Sequence, residues 1–440
     1  FRRTAAGSSS SDSDSDSASG SAYISGLEDS DIISEVDDAL SDGYFSHAEL
    51  EGLLTDVADD GVNSAEYDDL VTIAGELNDY EYLEAANKYY YSYIFDALVN
   101  GSAANSYWTG GTSSRSSLGN LASGTTYSEM IKLIGKWFGG SDRPTNSFGG
   151  DTAAGITGQS FDYSESSAQL FVSGPSYNDI NQGSAGTCYL LAAAAALCVN
   201  NSSMITDMFI DNGDDTYGVR FYGKDGEQIW VTVDNYLPYH PSYGTSHNWR
   251  YGAGGDNDWD IDSGDLWVGL LEKAYAQANE ISKFDRGDSD GYNSYDQVEG
   301  GLHDATSHIS GQTMHTWADG NYDFTSGFDD NTGTNISSWF GSDWLDLGDV
   351  LADELEDDNA LWIGCWDNDY DANGYQTAVS GHAFAIIDYG YDSFGDLYFT
   401  LLNPWGEGVS WSTPDYQHTY NYYWADMWSY WSSLWVSALA

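Results

Sequence analysis

The chain has 440 residues, of which 41% are hydrophobic and 15% aromatic, so it can form two or three folded domains and wholesale disorder is excluded. It carries 70 Asp and Glu against 13 Lys and Arg, and a surface with this formal net charge of −57 repels nucleic acid and anionic membranes. No apolar run reaches the roughly 18 residues of a membrane span. We therefore expect a soluble protein that has neither nucleic acid nor membrane as a partner.

The acidic excess is typical of proteins from high-salt habitats. At 1 M salt the Debye length is about 3 Å, which screens most of the repulsion within such a surface. The sequence does not distinguish a high-salt cytoplasm from the extracellular space as the protein's compartment. It does not indicate the oligomeric state either.

Composition changes divide the first 160 residues. The Ser/Asp/Gly-rich residues 1–25 predict a disordered acidic tail, because they cannot bury enough apolar area to offset chain entropy. Residues 26–100 have short apolar periodicities that predict a small helical acidic module. Residues 101–160 are rich in Gly, Ser and Thr and predict a linker, interrupted by an amphipathic helix at 128–139.

An EF-hand-like spacing occurs inside the acidic module. Asp38, Gly43 and Glu49 fall at positions 1, 6 and 12 of such a loop, but position 3 is Leu40, which offers no ligand. A second copy further along the chain has Tyr67 where the bidentate carboxylate belongs. The sequence therefore favours a pair of helices joined by Asp-Gly turns, and we expect no calcium there.

The remainder of the chain mixes helices and strands. Residues 217–223 and 227–237 predict paired strands, because the Asp-Gly turn at 224–226 between two β-rich runs is a strong hairpin signal. Residues 265–280 predict a helix. Further strands are predicted in a β-rich C-terminal half, at 360–366, 382–391 and 396–403.

The three cysteines, Cys188, Cys198 and Cys365, form no disulfide framework. Cys188 follows a glycine-rich turn and opens an apolar helix, where the helix dipole and free backbone N–H groups favour thiolate and lower the thiol pKa. Gln182, six residues upstream, can direct its amide at the oxyanion that forms when a thiolate attacks a carbonyl. Taken alone, such a cysteine is more often a buried small hydrophobe.

A base and its orienting residue lie near the C-terminus. His382 is flanked by small residues and enters a predicted buried strand, which is a rigid place for a catalytic group. Asn403 ends the next predicted strand, so its amide can fix the tautomer of the imidazole, and Trp405 can cover that hydrogen bond from water. Singly these residues are explained by core packing or turns. Together, in the order Cys, His, Asn, they indicate a thiol hydrolase.

The motifs around these residues resemble the calpain-type, papain-fold cysteine proteases. The family's cysteine motif is similar to QGSAGTCYLLA at 182–192, and its GHA and NPWG motifs recur at 381–383 and 403–406. A further family segment is similar to LWVGLLEKAYA at 266–276. The resemblance covers roughly residues 160 to 440. Thr187 and Tyr189 depart from the Asp and Trp that usually flank the nucleophile.

The resemblance implies an α+β, papain-like core of two subdomains, with the cysteine in the mainly helical residues 161–310 and the His/Asn pair in the β-rich residues 311–440. It also implies a cysteine endopeptidase that acts on protein substrates through Cys188, His382 and Asn403, with calcium as a cofactor. For a calcium site in the first subdomain, the ligand pattern carries over to the carbonyls of Val172 and Gly174 and the carboxylates of Asp179 and Asp265. For a second site, only Asp415 matches.

Three other functions stay open at this point. A catalytically silent calpain-like module that binds calcium or partners would explain Thr187. A transglutaminase-type acyl transferase shares a Cys/His site, but its third residue is usually Asp, so Asn403 argues against it. The third is an acidic structural or adhesive protein.

Overall fold

The computed structural model of the protein begins with helices and ends with a large antiparallel sheet, which confirms the predicted α+β class. The structure describes residues 21–148, 159–239, 264–300, 305–318, 322–324, 344–365, 369–370, 376–378, 381–406, 419–430 and 434–439. Most of the expected acidic tail at 1–25 lies outside these residues, as does Asp415. None of the described helices is both long and apolar enough to cross a bilayer.

Helices form the first part of the described chain: α1 (Ser30–Ala39), α2 (His47–Ala58), α3 (Ser64–Asn78), α4 (Lys88–Val99) and α5 (Tyr127–Trp137). The predicted pair of helices joined by Asp-Gly turns is confirmed, because Gly43 and Gly61 turn the chain between α1, α2 and α3 with φ of 103° and 88°. Glu49, at position 12 of the EF-hand-like spacing, accepts the N–H of Ser46 at 2.8 Å. Its carboxylate therefore caps α2.

The described middle part of the chain contains short strands and four further helices: β1 (Tyr107–Trp108), β2 (Ser116–Ser117), β3 (Ser147–Phe148), β4 (Gln159–Ser160), β5 (Asp162–Glu165), α6 (Cys188–Asn201), α7 (Ser203–Thr206), β6 (Phe209–Asp211), β7 (Thr216–Tyr222), β8 (Gln228–Asp234), β9 (Tyr236–Tyr239), α8 (Trp267–Ala278) and α9 (Ala305–Ser310). The predicted hairpin is confirmed, because β7 and β8 pair antiparallel around a turn in which Gly226 has φ 77°. The predicted helix is confirmed as α8, and every one of its residues is buried.

The C-terminal part is built on a sheet: β10 (Met314–Ala318), β11 (Tyr322–Phe324), α10 (Trp344–Glu356), β12 (Leu361–Cys365), β13 (Asp369–Tyr370), β14 (Gln376–Ala378), β15 (His382–Tyr391), β16 (Leu397–Leu402), β17 (Thr419–Tyr423), α11 (Trp424–Tyr430) and β18 (Leu434–Leu439). Seven of these strands form one antiparallel sheet in the order β11-β10-β18-β12-β15-β16-β17. The three strands predicted from sequence are its centre, β12, β15 and β16. Their alternate residues pack against α6 on one side and against a second apolar cluster on the other.

The N-terminal helices share one apolar core with the cysteine-bearing part. The hydroxyl of Tyr90 on α4 lies 2.8 Å from that of Thr232 on β8, and both groups are buried. Lys136 on α5 is also buried, and its ammonium group pairs with the carboxylates of Asp142 and Glu280. Buried polar pairs and a continuous core therefore join α1–α5 to the rest of the molecule.

Candidate active site

Cys188, the predicted nucleophile, is the first residue of α6 and is only 8% exposed. Backbone groups of Ala383 and Tyr189 near the sulfur partly offset the effect of burial on the thiol pKa. The first turn of a helix has N–H groups without partners inside the helix, and α6 packs against the start of β15. The thiol therefore lies where one helix end meets one strand. Neither Cys188 nor Cys198 forms a disulfide.

His382 begins β15, Asn403 directly follows β16, and the antiparallel pairing of these strands brings the two side chains together. Nε2 of His382 lies 2.8 Å from Oδ1 of Asn403, and both residues are buried. The same oxygen accepts the backbone N–H of Trp405 at 3.1 Å, which identifies it as the amide oxygen. In neutral imidazole Nε2 then holds the proton, and Nδ1 is free to act as a base.

Aromatic rings surround the imidazole. The ring of Trp405 lies 4.3 Å from that of His382, tilted by 34°, and the ring of Phe384 packs edge-on at 4.7 Å. Burial lowers the pKa of His382 to about 4, and the hydrogen bond to Asn403 raises that pKa by less. His382 is therefore neutral at physiological pH.

The thiol and the imidazole do not contact each other through a hydrogen bond in this conformation. Sγ of Cys188 lies 3.8 Å from the carbonyl oxygen of Gly381, and within the described residues no hydrogen bond or ion pair joins it to His382. Burial raises the pKa of Cys188 to about 11, although three backbone N–H groups lower it. The thiol pKa predicted from the helix end is thus wrong for this conformation, because loss of thiolate hydration outweighs the N–H groups.

We expect the alkylation rate of Cys188 by iodoacetamide, in the absence of calcium, to be slow near pH 7 and to rise with pH towards about 11, since only the thiolate reacts. Mass spectrometry of the Cys188 peptide measures this rate. His382→Ala is the control and should leave the profile unchanged, because no ion pair supports the thiolate. If the alkylation rate is already on a plateau at pH 6 and depends on His382, then Cys188 and His382 form an ion pair, which contradicts a neutral thiol beside a neutral imidazole.

Gln182 lies beneath the turn that follows β16. Its backbone N–H donates to the carbonyl of Pro404 at 2.7 Å, and its Nε2 donates to the carbonyl of Ala185 at 2.6 Å. Because an amide NH₂ has two protons, one stays available for an oxyanion. A Cβ at Gly406 would lie only 2.8 Å from Oδ1 of Asn181, so glycine lets the turn approach the residue next to Gln182.

Glu272 is a residue near the site that sequence reasoning missed. The hydroxyl of Thr187, directly before the nucleophile, donates to Oε1 of Glu272 at 2.5 Å, and both residues are fully buried. The Thr187 hydroxyl consequently does not cap α6. A glutamate in a helix whose other residues are mostly apolar is the sequence signal for such a buried partner, because a buried carboxylate requires hydrogen bonds.

Three of the four predicted calcium ligands, Val172, Asp179 and Asp265, lie near one another, where the loop at 171–179 approaches the start of α8. Oδ1 of Asp265 accepts the N–H of Val172 at 2.5 Å, and Oδ2 of Asp179 accepts the N–H of Ser176 at 2.7 Å. Burial raises the pKa of Asp179, and the nearby carboxylate of Asp265 raises it further. Within the described residues, Oδ2 of Asp265 and Oδ1 of Asp179 accept no hydrogen bond from the protein. Gly174, with φ 87°, turns the chain between Val172 and Asp179. This set of oxygen donors fits calcium.

Comparison with known proteins agrees with this geometry. Residues 160–437 match the family described as calpain family cysteine protease. The calpain-1 catalytic subunit of Rattus norvegicus is 27% identical over 273 residues, which are 58% of this chain and 31% of the relative. The calpain-2 catalytic subunits of Macaca fascicularis and Homo sapiens are 28% and 27% identical over 259 residues, which are 56% of this chain and 30% of each relative. The matched region spans less than a third of the length of these curated relatives.

Proposed function

The chain belongs to the calpain family of cysteine proteases, with its papain-like α+β fold, and from this membership we propose that it is a calcium-dependent cysteine endopeptidase that acts on proteins. The observation that carries the proposal is the His382–Asn403 hydrogen bond beneath Trp405, next to the helix that Cys188 opens. These three side chains come from distant parts of the sequence and are of the types that thiol hydrolysis uses, which supports the proposal.

In the proposed reaction, Nδ1 of His382 accepts the thiol proton of Cys188, and the thiolate attacks the carbonyl carbon of the scissile peptide bond. The amide of Gln182 and the backbone N–H of Cys188 donate to the oxyanion of the tetrahedral intermediate. His382 then gives its proton to the leaving amine, and water hydrolyses the thioester. Asn403 keeps the imidazole in the required tautomer throughout.

One change must precede this reaction, because the thiol and the imidazole have to come within hydrogen-bond distance. The proposed calcium ligands are connected to two residues that precede the nucleophile, Gln182 and Thr187. Asp179 lies three residues before Gln182, and Asp265 lies two residues before the start of α8, whose Glu272 accepts the hydrogen bond from Thr187. Calcium bound to these ligands supplies positive charge that holds the two segments together, so we infer that the calcium response arises here.

Asp265→Asn is expected to raise the calcium concentration for half-maximal hydrolysis by about tenfold or more, because a neutral amide is a weaker ligand than a carboxylate. The measurement is release of peptides from an unfolded protein in high salt over a range of calcium concentrations, with EDTA as the zero point. Asp225→Asn, in the exposed hairpin turn, makes the same change in charge and should have no effect. An unaltered calcium response of the Asp265 variant would remove this site from the proposal.

A catalytically silent calcium-binding or partner-binding module is the second candidate. The observation that favours it is the buried, neutral thiol of Cys188, which has no hydrogen bond to His382 among the described residues. A peptide with a thiol-alkylating group distinguishes the candidates in the presence of calcium. Modification that requires both calcium and His382 supports the protease, and its absence at saturating calcium supports the silent module.

A further inference from the structure

A second cluster of potential metal ligands lies far from the thiol, where the N-terminal helices meet the cysteine-bearing part. His47 and Glu51 are four residues apart on α2 and therefore share one face of that helix. Asp214 comes from the loop between β6 and β7. One ligand atom from each of these three side chains lies within 4.8 Å of the other two.

The imidazole of His47 is held rigidly with one edge towards the carboxylates. Its side chain is 3% exposed, and the rings of Tyr90 and Phe138 lie 6.3 and 5.2 Å from it. Nδ1 of His47 is 3.2 Å from Oδ2 of Asp214, whereas Nε2 is buried without a hydrogen-bond partner among the described residues. Burial is the main cause that lowers the pKa of His47, so a neutral imidazole, the form that binds metals, faces the carboxylates.

Among the residues that the structure describes, no lysine or arginine forms an ion pair with Glu51 or Asp214. Within the described part of the chain, no basic side chain and no hydrogen-bond donor pairs with the half-buried carboxylate of Glu51. Burial and the charge of Asp214 both raise the pKa of Glu51. The second oxygen of Asp214 accepts from the N–H and hydroxyl of Thr216, at 3.1 and 2.5 Å, and these bonds fix the carboxylate in place. Two carboxylates beside a neutral imidazole attract a cation.

We propose that His47, Glu51 and Asp214 bind one divalent transition-metal ion of the zinc type, which joins α2 to the β6–β7 loop. One imidazole nitrogen and two carboxylate oxygens are donors that zinc and its neighbours in the first transition series accept, whereas calcium takes six to eight oxygens. Ligand atoms around one such ion lie about 3.0–3.4 Å apart, so the cluster must contract. The long, partly exposed side chain of Glu51 allows this movement.

Zinc titration of the full-length chain by calorimetry tests the proposal. The Cys188→Ala background removes the active-site thiol as a competing ligand, and saturating calcium fills oxygen-only sites. We expect one zinc ion per chain and a rise in Tm, because the ion connects two packed parts of the fold. In Glu51→Gln and Asp214→Asn, the Kd for zinc should increase at least tenfold and the rise in Tm should disappear. Asp68→Asn, which removes an exposed carboxylate from α3, is the matched control and should bind like the parent.

Two further measurements separate a metal site from a purely structural contact. With EDTA, Glu51→Gln should keep or raise the Tm, because it removes like-charge repulsion, whereas a structural role predicts a loss of Tm. ¹⁵N-histidine spectra should show a zinc-dependent shift of the His47 ring nitrogens, assigned with His47→Gln. The proposal is overturned if the Glu51/Asp214 double variant binds zinc like the parent, or if no histidine ring signal responds to zinc.

Discussion

Replacing Cys188 by alanine is expected to reduce hydrolysis of an unfolded protein substrate by about 10,000-fold or more, because the nucleophile that forms the thioester is lost. The loss should appear in kcat, since the substitution changes no other residue of the proposed site. Alanine also fits the site, because it is apolar and smaller than cysteine, and Cys188 belongs to the apolar core at the start of α6. Far-ultraviolet circular dichroism and Tm should therefore stay close to those of the parent.

Cys198→Ala is the matched control for this experiment. Cys198 lies on the same helix, has a free thiol, and is partly exposed. Its removal should leave hydrolysis within about twofold of the parent, because the thiol lies roughly 15 Å along the helix from Cys188. Undiminished hydrolysis in the Cys188→Ala variant, measured on protein free of contaminating proteases, would disprove the assignment of the nucleophile.

Lys136→Met is expected to lower the free energy of unfolding by about 3–5 kcal/mol, because it leaves two buried carboxylates without their counter-charge. Lys136 is 1% exposed, and its ammonium group pairs with Asp142 from the following loop and Glu280 from the segment after α8. Asp142 also accepts the N–H groups of Thr109 and Gly110, both at 2.7 Å, so it cannot move into solvent. Urea denaturation in high salt measures the loss.

The destabilisation by Lys136→Met should grow with pH. Burial raises the pKa of Glu280 to about 7, and Lys136 opposes that rise. Without the lysine, the folded protein holds the Glu280 proton to higher pH than the unfolded chain does, so stability falls as pH increases above about 4.5. Lys132→Met, one turn earlier and partly exposed, should change stability by less than about 1 kcal/mol. An equally small effect of Lys136→Met would mean that the three charges do not form a coupled network.

Local sequence patterns were sufficient for the secondary structure that positions the candidate site. The β7–β8 hairpin, α8 and the strands β12, β15 and β16 all agree with the sequence, because period, turn residues and β-branched runs act over a few neighbouring residues. The same patterns placed Cys188 at the start of α6 and His382 at the start of β15. The expected pairing of His382 with Asn403 followed from their places on two successive predicted strands, and the family motifs agreed with it.

Features that depend on burial were decided by the tertiary structure. The helix end favours a thiolate at Cys188, yet the packing of α6 against β15 removes water and raises the thiol pKa instead. In the same way, the sequence shows Thr187 only as a departure from the family motif, whereas in the fold its hydroxyl donates a hydrogen bond to Glu272, 85 residues away. The extent to which the folded core excludes water cannot be predicted from a local sequence pattern.

The sequence by itself determined the class of the protein and the identity of its candidate nucleophile, base and orienting residue, because these follow from short motifs and local periodicity. Only the tertiary structure decided that burial raises the pKa of the Cys188 thiol and lowers that of the His382 imidazole, and that α1–α5 share a core with the cysteine-bearing part. It also placed Asp214 beside His47, 167 residues apart. Burial of a group, and contact between residues far apart in sequence, depend on elements that come together only in the folded chain. Neither could therefore be predicted from neighbouring residues.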